Sequence, residues 1–405
     1  MVAVVVVLAA VLAWVVTSRR LSYLSVTAPL LLMLTGLVFG WGEDPLLELE
    51  LNTEPVKLVV EVTLALVLFV DASSIGLSFF RTSWRAPARL LGIGLPLTVL
   101  LGLLLGLPLF PGVAVVVLAV VASALAPTDA ALGASVIEDE RIPERIRATV
   151  NVESGLNDGL VTPIVLFFVA LAAAEDTERS LGTAAVDAVL QIAIAIVIGL
   201  VIGRGGGWLL RQAEARGWSL PAQTPIGGMC LALLAYFGAV LLDGNGFVAA
   251  FVAGWAFGRA LANREDGSEV LDFTHDLGLL LGFVVWFIFG AVLLPEAISG
   301  LSWQVGAYAL LSLTIIRILP VALAAVGTGT HRDTVLLVGW LGPRGLASIV
   351  FAIIAVQELT GEDGVFVASV VGATVALSVL LHGLSAGPLA AWYARRHPAD
   401  DPTHG

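Results

Sequence analysis

Two acidic patches interrupt otherwise apolar stretches of this chain: Pro127-Thr128-Asp129 and Glu153-Ser154-Gly155-Leu156-Asn157-Asp158-Gly159. A carboxylate at the centre of a bilayer costs roughly 2.5–3.5 kcal/mol on insertion scales, so acids in such surroundings are usually there for function. Ser154 and Asp158 are four residues apart, as are Glu153 and Asn157, so each pair lies along one face of a helix. Thr128 and Asp129 break the span before it. If the two helices pack together, two carboxylates and two hydroxyls converge. Hard oxygen ligands of this kind suit a small monovalent cation or a proton, and unwound backbone carbonyls can complete the shell. No His or Cys accompanies the acids, which argues against zinc among them, and calcium would recruit more carboxylates and a loop.

Two basic residues, Arg317 and Arg344, also lie within apolar runs. With Asp129, Glu153 and Asp158 ionised and both arginines protonated, the formal sum is minus three plus two, or minus one. A buried net charge is costly, and one proton or one monovalent cation cancels it. Two ligands competing for one neutralising position are a sufficient basis for electroneutral one-for-one exchange. Glu153 reads as a structural acid with Arg344 as its available partner. Arg317 has no local partner in sequence and is expected to lend a donor to broken-helix carbonyls. Asp129 follows Pro-Thr and can cap a restarted half-helix as well as ligate. Asp71 reads equally as a gate or a solvated helix end. Glu61 and Asp187 can snorkel to the interface, and His275, His331 and His382 stand isolated in sequence.

These groups need a scaffold of membrane helices. The chain has 405 residues, 58% hydrophobic and 13% charged, with a mean hydropathy of +0.98. Soluble domains carry about 25% charged residues, so this is an integral membrane protein. Its long apolar runs exclude a membrane barrel of short alternating strands. Cys230 is the single cysteine and excludes an intramolecular disulfide. The net charge of −12 comes largely from acids in short loops, which leaves no nucleic-acid footprint. The run Val2 to Val16, followed by Ser18-Arg19-Arg20, reads as a retained first span rather than a cleaved signal.

Hydropathy and loop punctuation give about thirteen spans, centred near Ala9, Leu32, Leu64, Leu100, Val120, Val161, Ile194, Leu233, Ala253, Val285, Leu311, Ile349 and Val375. Alternate loops hold the arginines: Arg19 and Arg20; Arg81, Arg85 and Arg89; Arg141, Arg145 and Arg147; Arg204, Arg211 and Arg216; Arg259 and Arg264; Arg332; Arg395 and Arg396. The opposite loops carry Glu43, Asp44, Glu48, Glu50, Glu175, Asp176, Asp243, Glu362 and Asp363, with Arg179 and Lys57 as exceptions. The positive-inside rule then puts the N-terminus outside and the C-terminus in the cytoplasm. Two spans are broken, through Ala126-Pro127-Thr128-Asp129 and through Gly339-Trp340-Leu341-Gly342-Pro343-Arg344-Gly345. They lie seven spans apart, so copies of a repeat would run in opposite directions, as in an inverted-repeat transporter. The expected division is a first repeat with its linking helix over 1–203, a cytoplasmic connection over 204–224, a second, inverted repeat over 225–390 and a disordered tail over 391–405. The connection, Gly205-Gly206-Gly207 and then Trp208 to Trp218, reads as the hinge between the halves or as an amphipathic interfacial helix.

The chain resembles the monovalent cation:proton antiporter superfamily, in particular the NhaP-like branch that also contains the eukaryotic NHE exchangers. Pro127-Thr128-Asp129, Glu153 to Gly159, Arg317 and Gly342-Pro343-Arg344-Gly345 carry the resemblance. It implies an all-α polytopic fold of about thirteen helices, with inverted repeats and two crossing broken helices, working by elevator-like movement. It also implies exchange of Na+, Li+ or K+ for H+ in pH homeostasis, with the ions as cargo and no cofactor. Asp158 would be the main carboxylate for cation and proton, and Thr128, Asp129 and Ser154 its co-ligands. Asn157 would hold the crossing, Glu153 would pair with Arg344, and Arg317 would steady the site. Asn157-Asp158 is similar to the branch associated with electroneutral exchange. The first helix would form a homodimer interface in the cytoplasmic membrane. Asp71-Ala72-Ser73-Ser74 departs from the acidic-Gly pattern of related members. The rival readings are an intramembrane aspartyl protease, because Gly155-Leu156-Asn157-Asp158 approaches a Gly-x-Gly-Asp pattern, and a cation channel.

Overall fold

The computed structural model describes residues 2–23, 26–42, 46–47, 51, 53–74, 84–129, 132, 139–176, 180–261, 269–359 and 361–397. Arg81, Glu43, Asp44, Glu48, Glu50, Arg179, Arg264 and the final residues 398–405 lie outside them. Fourteen helical segments carry the described chain: α1 Val2–Tyr23, α2 Ala28–Gly40, α3 Glu54–Ser74, α4 Arg85–Leu109, α5 Val115–Ala124, α6 Glu144–Asp176, α7 Leu181–Ala215, α8 Thr224–Leu241, α9 Gly246–Leu261, α10 Val270–Ser299, α11 Trp303–Ala324, α12 Arg332–Trp340, α13 Leu346–Glu358 and α14 Glu362–Arg396. Eight are long and apolar enough to cross a membrane. Each of the expected span centres falls in one of the fourteen.

The chain divides into two compact units, each drawn from non-contiguous stretches: 1–53, 85–157 and 283–405 in one, 54–84 and 158–282 in the other. In the second unit, α9 is the central helix, and small residues line both of its flanks. Gly199 and Gly203 of α7 meet the backbone of Ala249 and Ala253. On the other side Gly254 and Gly258 meet the backbone of Phe69 and Ser73 on α3, where a Cβ would overlap main-chain atoms. Helices in lipid associate by such close packing because lipid tails supply no hydrophobic drive between them. Leu66, Phe69, Ala232, Ala235, Ala253 and Phe257 fill the core behind this contact. Asp71 is part-buried near the end of α3.

In the first unit, Gly36 and Gly40 of α2 lie against the backbone of α10 at Phe287 and Ala291. A second core of Leu90, Ile142, Val150, Val321, Ala324, Leu337, Val338, Ala386, Ala390 and Tyr393 joins α4, α6, α11, α12 and α14. Just before α6, Arg141 forks onto Asp139 at 2.7 Å and holds that carboxyl below its ordinary value.

Two expected boundaries are corrected. The connection at 204–224 is helical as far as Ala215, because α7 continues unbroken. Gly205-Gly206-Gly207 reads as a breaker in sequence, but Gly206 packs on Leu231 and Gly207 on Ala260 and Phe257. Gly206 and Gly207 permit close packing instead of a turn, and Gly205 faces open space. The segment Ala391–Arg396, expected to be disordered, is the last part of α14. Buried Ala390 and Tyr393 hold it in the core, and Arg395 and Arg396 complement the negative end of the helix dipole.

Candidate functional site

Two helices of the first unit stop inside the protein. Helix α5 ends at Ala124, and Leu125 to Asp129 run on without helical structure. Helix α12 ends at Trp340, and Leu341 to Gly345 have no regular secondary structure before α13 begins at Leu346. The two unwound stretches meet. The Asp129 backbone N–H donates to the Pro343 carbonyl at 2.8 Å. Interrupted helices leave carbonyls without partners at one end and N–H groups without partners at the other, and in hydrocarbon each such group is expensive.

Each break supplies the charge that satisfies the other. Arg344, fully buried, donates through Nη1 to the Ala126 and Pro127 carbonyls at 2.7 and 3.1 Å. It also donates through Nη2 to Ser312 O at 3.1 Å. A cation thus sits at the negative end of α5. In return, Asp129 Oδ2 accepts the Leu346 N–H at 3.1 Å, which places a carboxylate at the positive end of α13. Both placements follow the helix dipole. Gly345 makes the approach possible, since a Cβ there would overlap the Asp129 carboxylate. Gly345→Ala is therefore expected to destabilise the protein by about 1–3 kcal/mol, as overpacking does. Thermal unfolding in detergent reads this as a fall of several degrees, and an unchanged midpoint would contradict the geometry.

The sequence reading exchanged the two arginines. Glu153 pairs with Arg317, not Arg344, through a bidentate fork of 2.6 and 2.8 Å, with both side chains almost fully buried. Arg344 takes the carbonyl-capping role expected of Arg317. Both are buried cations in apolar runs, so composition could not separate them. Position does. Arg317 stands on α11, where its fork can reach Glu153 on α6. Arg344 stands in the unwound stretch beside the carbonyl ends of α5. Gly342 leaves room for the Arg317 side chain, which a Cβ at that position would strike.

The polar residues of α6 join the crossing. Asn157 Nδ2 donates to Thr128 Oγ1 at 2.7 Å, and Thr128 Oγ1 lies 3.0 Å from Ser154 Oγ. Thr128, Ser154 and Asn157 are all buried. Asn157 Oδ1 and, on the first turn of α13, Ser348 Oγ are buried without a hydrogen-bond partner. Sequence reasoning did not single out Ser348. A hydroxyl three residues after the helix-breaking Gly342-Pro343-Arg344-Gly345 is the signal that could have found it. Asp158 follows Asn157 in α6, one helical turn beyond Ser154 and part-buried. Ser378 accepts the Arg344 N–H at 2.7 Å and also contacts His382. His382 is buried, and its ring lies 5.0 Å from that of Trp340. In the second unit, a cavity of about 670 Å³ lined by Arg204, Trp208, Arg211 and Arg259 contains none of these carboxylates.

The family described as "Sodium/hydrogen exchanger, transmembrane" matches residues 6–392 of the chain. Among characterised relatives, the K(+)/H(+) antiporter NhaP of Alkalimonas amylolytica is 24% identical over 92% of this chain and 64% of its own length. The K(+)/H(+) antiporter NhaP2 of Shewanella baltica is 25% identical over 56% of this chain and 38% of its own. For the Na(+)/H(+) antiporter NhaH of Halobacillus dabanensis the identity is 25%, over 66% of each chain. The matched part of the chain thus spans well under two thirds of the NhaP2 relative and just under two thirds of the NhaP relative. The solved sodium proton antiporter MjNhaP1 of Methanocaldococcus jannaschii superposes with a TM-score of 0.79 at 21% identity, over 97% of this chain and 99% of that one. The two share a fold.

Proposed function

The chain belongs to the transmembrane sodium/hydrogen exchanger family, and from that footing we propose that it is a secondary antiporter exchanging one monovalent cation for one proton across the cytoplasmic membrane. The single observation that carries the reading is the crossing of two interrupted helices, each capped by a charge from the other, beside the hydroxyl and amide groups of α6. Unwound helices at mid-membrane are where transporters of this architecture hold ions. Nothing in the geometry favours a protease or a channel.

Asp158 is the carboxylate that takes either ion, with Ser154, Thr128 and Asp129 as co-ligands. Asn157 holds α6 to the first break. The Glu153–Arg317 pair cancels its own charge, so the surplus falls on Asp129, Asp158 and Arg344, where two acids and one base sum to minus one. A proton neutralises that surplus, and so does an alkali cation. The loaded site is neutral in either case, and the empty one is not, so the empty site crosses reluctantly. Exchange at a ratio of one to one follows from the same count. The partition of the chain into two compact units supports an elevator-like alternating access.

The characterised relatives divide between K+ and Na+, and Na+ is the first cargo to test, followed by K+ and Li+. The arginine distribution supports an N-terminus outside and a C-terminus in the cytoplasm. The exposed aliphatic face of α1, including Val5, Leu8, Leu12 and Val16, supports a homodimer through that helix. The test is dissipation of a respiration-driven proton gradient in everted vesicles after addition of each chloride salt across a range of pH. Rapid dequenching of a pH dye by at least one alkali cation is expected. No dequenching with any of the three at any pH would remove the proposal.

A further inference from the structure

Away from the crossing, the start of α12 meets the end of α14, and three side chains converge there. His331 caps α12, its Nδ1 accepting the Asp333 N–H at 3.3 Å. His397 directly follows α14, and its Nε2 lies 3.2 Å from Asp333 Oδ2. His331 Nδ1 is 3.9 Å from the same oxygen. All three ligand atoms lie within 4.8 Å of one another. The two imidazole rings are 5.0 Å apart. A neighbouring contact fixes the frame: Tyr393 OH lies 2.7 Å from Thr334 Oγ1, with its ring 4.6 Å from that of His397.

Two imidazole nitrogens and one carboxylate oxygen form a donor set that hard cations such as Na+ or Mg2+ do not select, whereas zinc-class ions do. A tetrahedral zinc ion with ligands at about 2.0–2.2 Å holds its donors about 3.3–3.6 Å apart. Reaching that range takes side-chain rotation, and His331, with 56% of its side chain exposed, can turn once its Nδ1 gives up the Asp333 N–H. Arg396 Nη1 also contacts Asp333 Oδ2, at 3.3 Å. It competes for that oxygen and must swing aside, which its 58% side-chain exposure permits.

We propose that His331, Asp333 and His397 form a binding site for one zinc-class divalent cation, separate from the transport site. The bound ion staples the first turn of α12 to the last turn of α14. Helix α12 is the arm that leads into Gly342-Pro343-Arg344-Gly345, so the staple anchors the outer end of one broken span. The site does not depend on which cargo the crossing carries.

The test is titration of the full-length protein in detergent with Zn2+ after chelator treatment, read by calorimetry and by thermal unfolding. Native protein is expected to bind one Zn2+ per chain with a Kd at or below about 10 μM and to unfold at a higher temperature when loaded. His331→Ala and His397→Ala should each weaken binding at least about tenfold and abolish the thermal shift, because each removes one of three ligands. Arg396→Ala should tighten it, because the competing cation is gone. Asp158→Asn should leave zinc binding unchanged. Absence of binding, native affinity in either histidine variant, or weaker binding in Arg396→Ala would overturn the proposal. Because His331 is exposed, its variant is expected to fold, which keeps the result interpretable if His397→Ala does not.

Discussion

Replacing Asp158 with asparagine is expected to abolish exchange while leaving the protein folded. Asparagine keeps the shape of the side chain, removes the charge and turns one acceptor oxygen into an NH2 donor. The formal sum over the five charged groups then becomes minus two plus two, or zero, without any ion. The empty site no longer needs a cation or a proton, so the coupling between the two disappears. With no carboxylate left there to take either ion, exchange should fall by at least about 100-fold, about 2.7 kcal/mol in activation free energy. Dequenching in everted vesicles should fall to the level of vesicles without the protein for Na+, K+ and Li+ alike. The thermal midpoint should hold or rise, since a part-buried charge has been removed. Near-normal exchange by this variant would take Asp158 out of the site.

The second large effect concerns stability rather than transport. Glu153 and Arg317 are buried and bonded to each other by a two-pronged fork. Glu153→Leu alone leaves a guanidinium in hydrocarbon surroundings, and Arg317→Met alone leaves a carboxylate there. Each should destabilise by about 3–5 kcal/mol and sharply reduce the yield of folded protein. The double variant removes both charges and fills the space with apolar atoms, an exchange that is often neutral in buried pairs. It should recover most of the lost stability in a double-mutant cycle. It also leaves the net charge of the site unchanged, because the pair sums to zero. Cation-driven dequenching should therefore persist in Glu153→Leu/Arg317→Met. Strictly additive losses would disprove the pairing, and a stable but inactive double variant would assign the pair a direct part in ion handling.

Much of this architecture is legible in the sequence because the membrane leaves few alternatives. A run of about twenty apolar residues must be a helix in lipid, and each of the expected span centres lies in a helix. The two interruptions are legible for the same reason: Ala126-Pro127-Thr128-Asp129 and Gly342-Pro343-Arg344-Gly345 place helix breakers and charges where neither is cheap. What hydropathy could not supply is the choice of partner across space. Arg317 and Arg344 are equivalent in composition, and only the position of Arg344 in an unwound stretch makes it the cap of α5. Gly205-Gly206-Gly207 looked like a hinge because a glycine's packing partners are invisible in one dimension. Leu231 and Ala260 turn it into a contact surface. His331 stands isolated in sequence because its neighbour His397 is 66 positions away and is brought back only by the return of α14.

The central claim is electrostatic: one surplus negative charge, quenched by H+ or by an alkali ion in turn. Its most direct test is charge movement during exchange. Protein in proteoliposomes is given an inward Na+ gradient, with lumenal pH followed by dye and current followed on a supported membrane. Asp158→Asn vesicles serve as the blank. A Na+-driven pH change is expected, with no accompanying current and with the same rate at zero and at imposed membrane potential. A current that scales with the pH change, or a rate set by the potential, would contradict it.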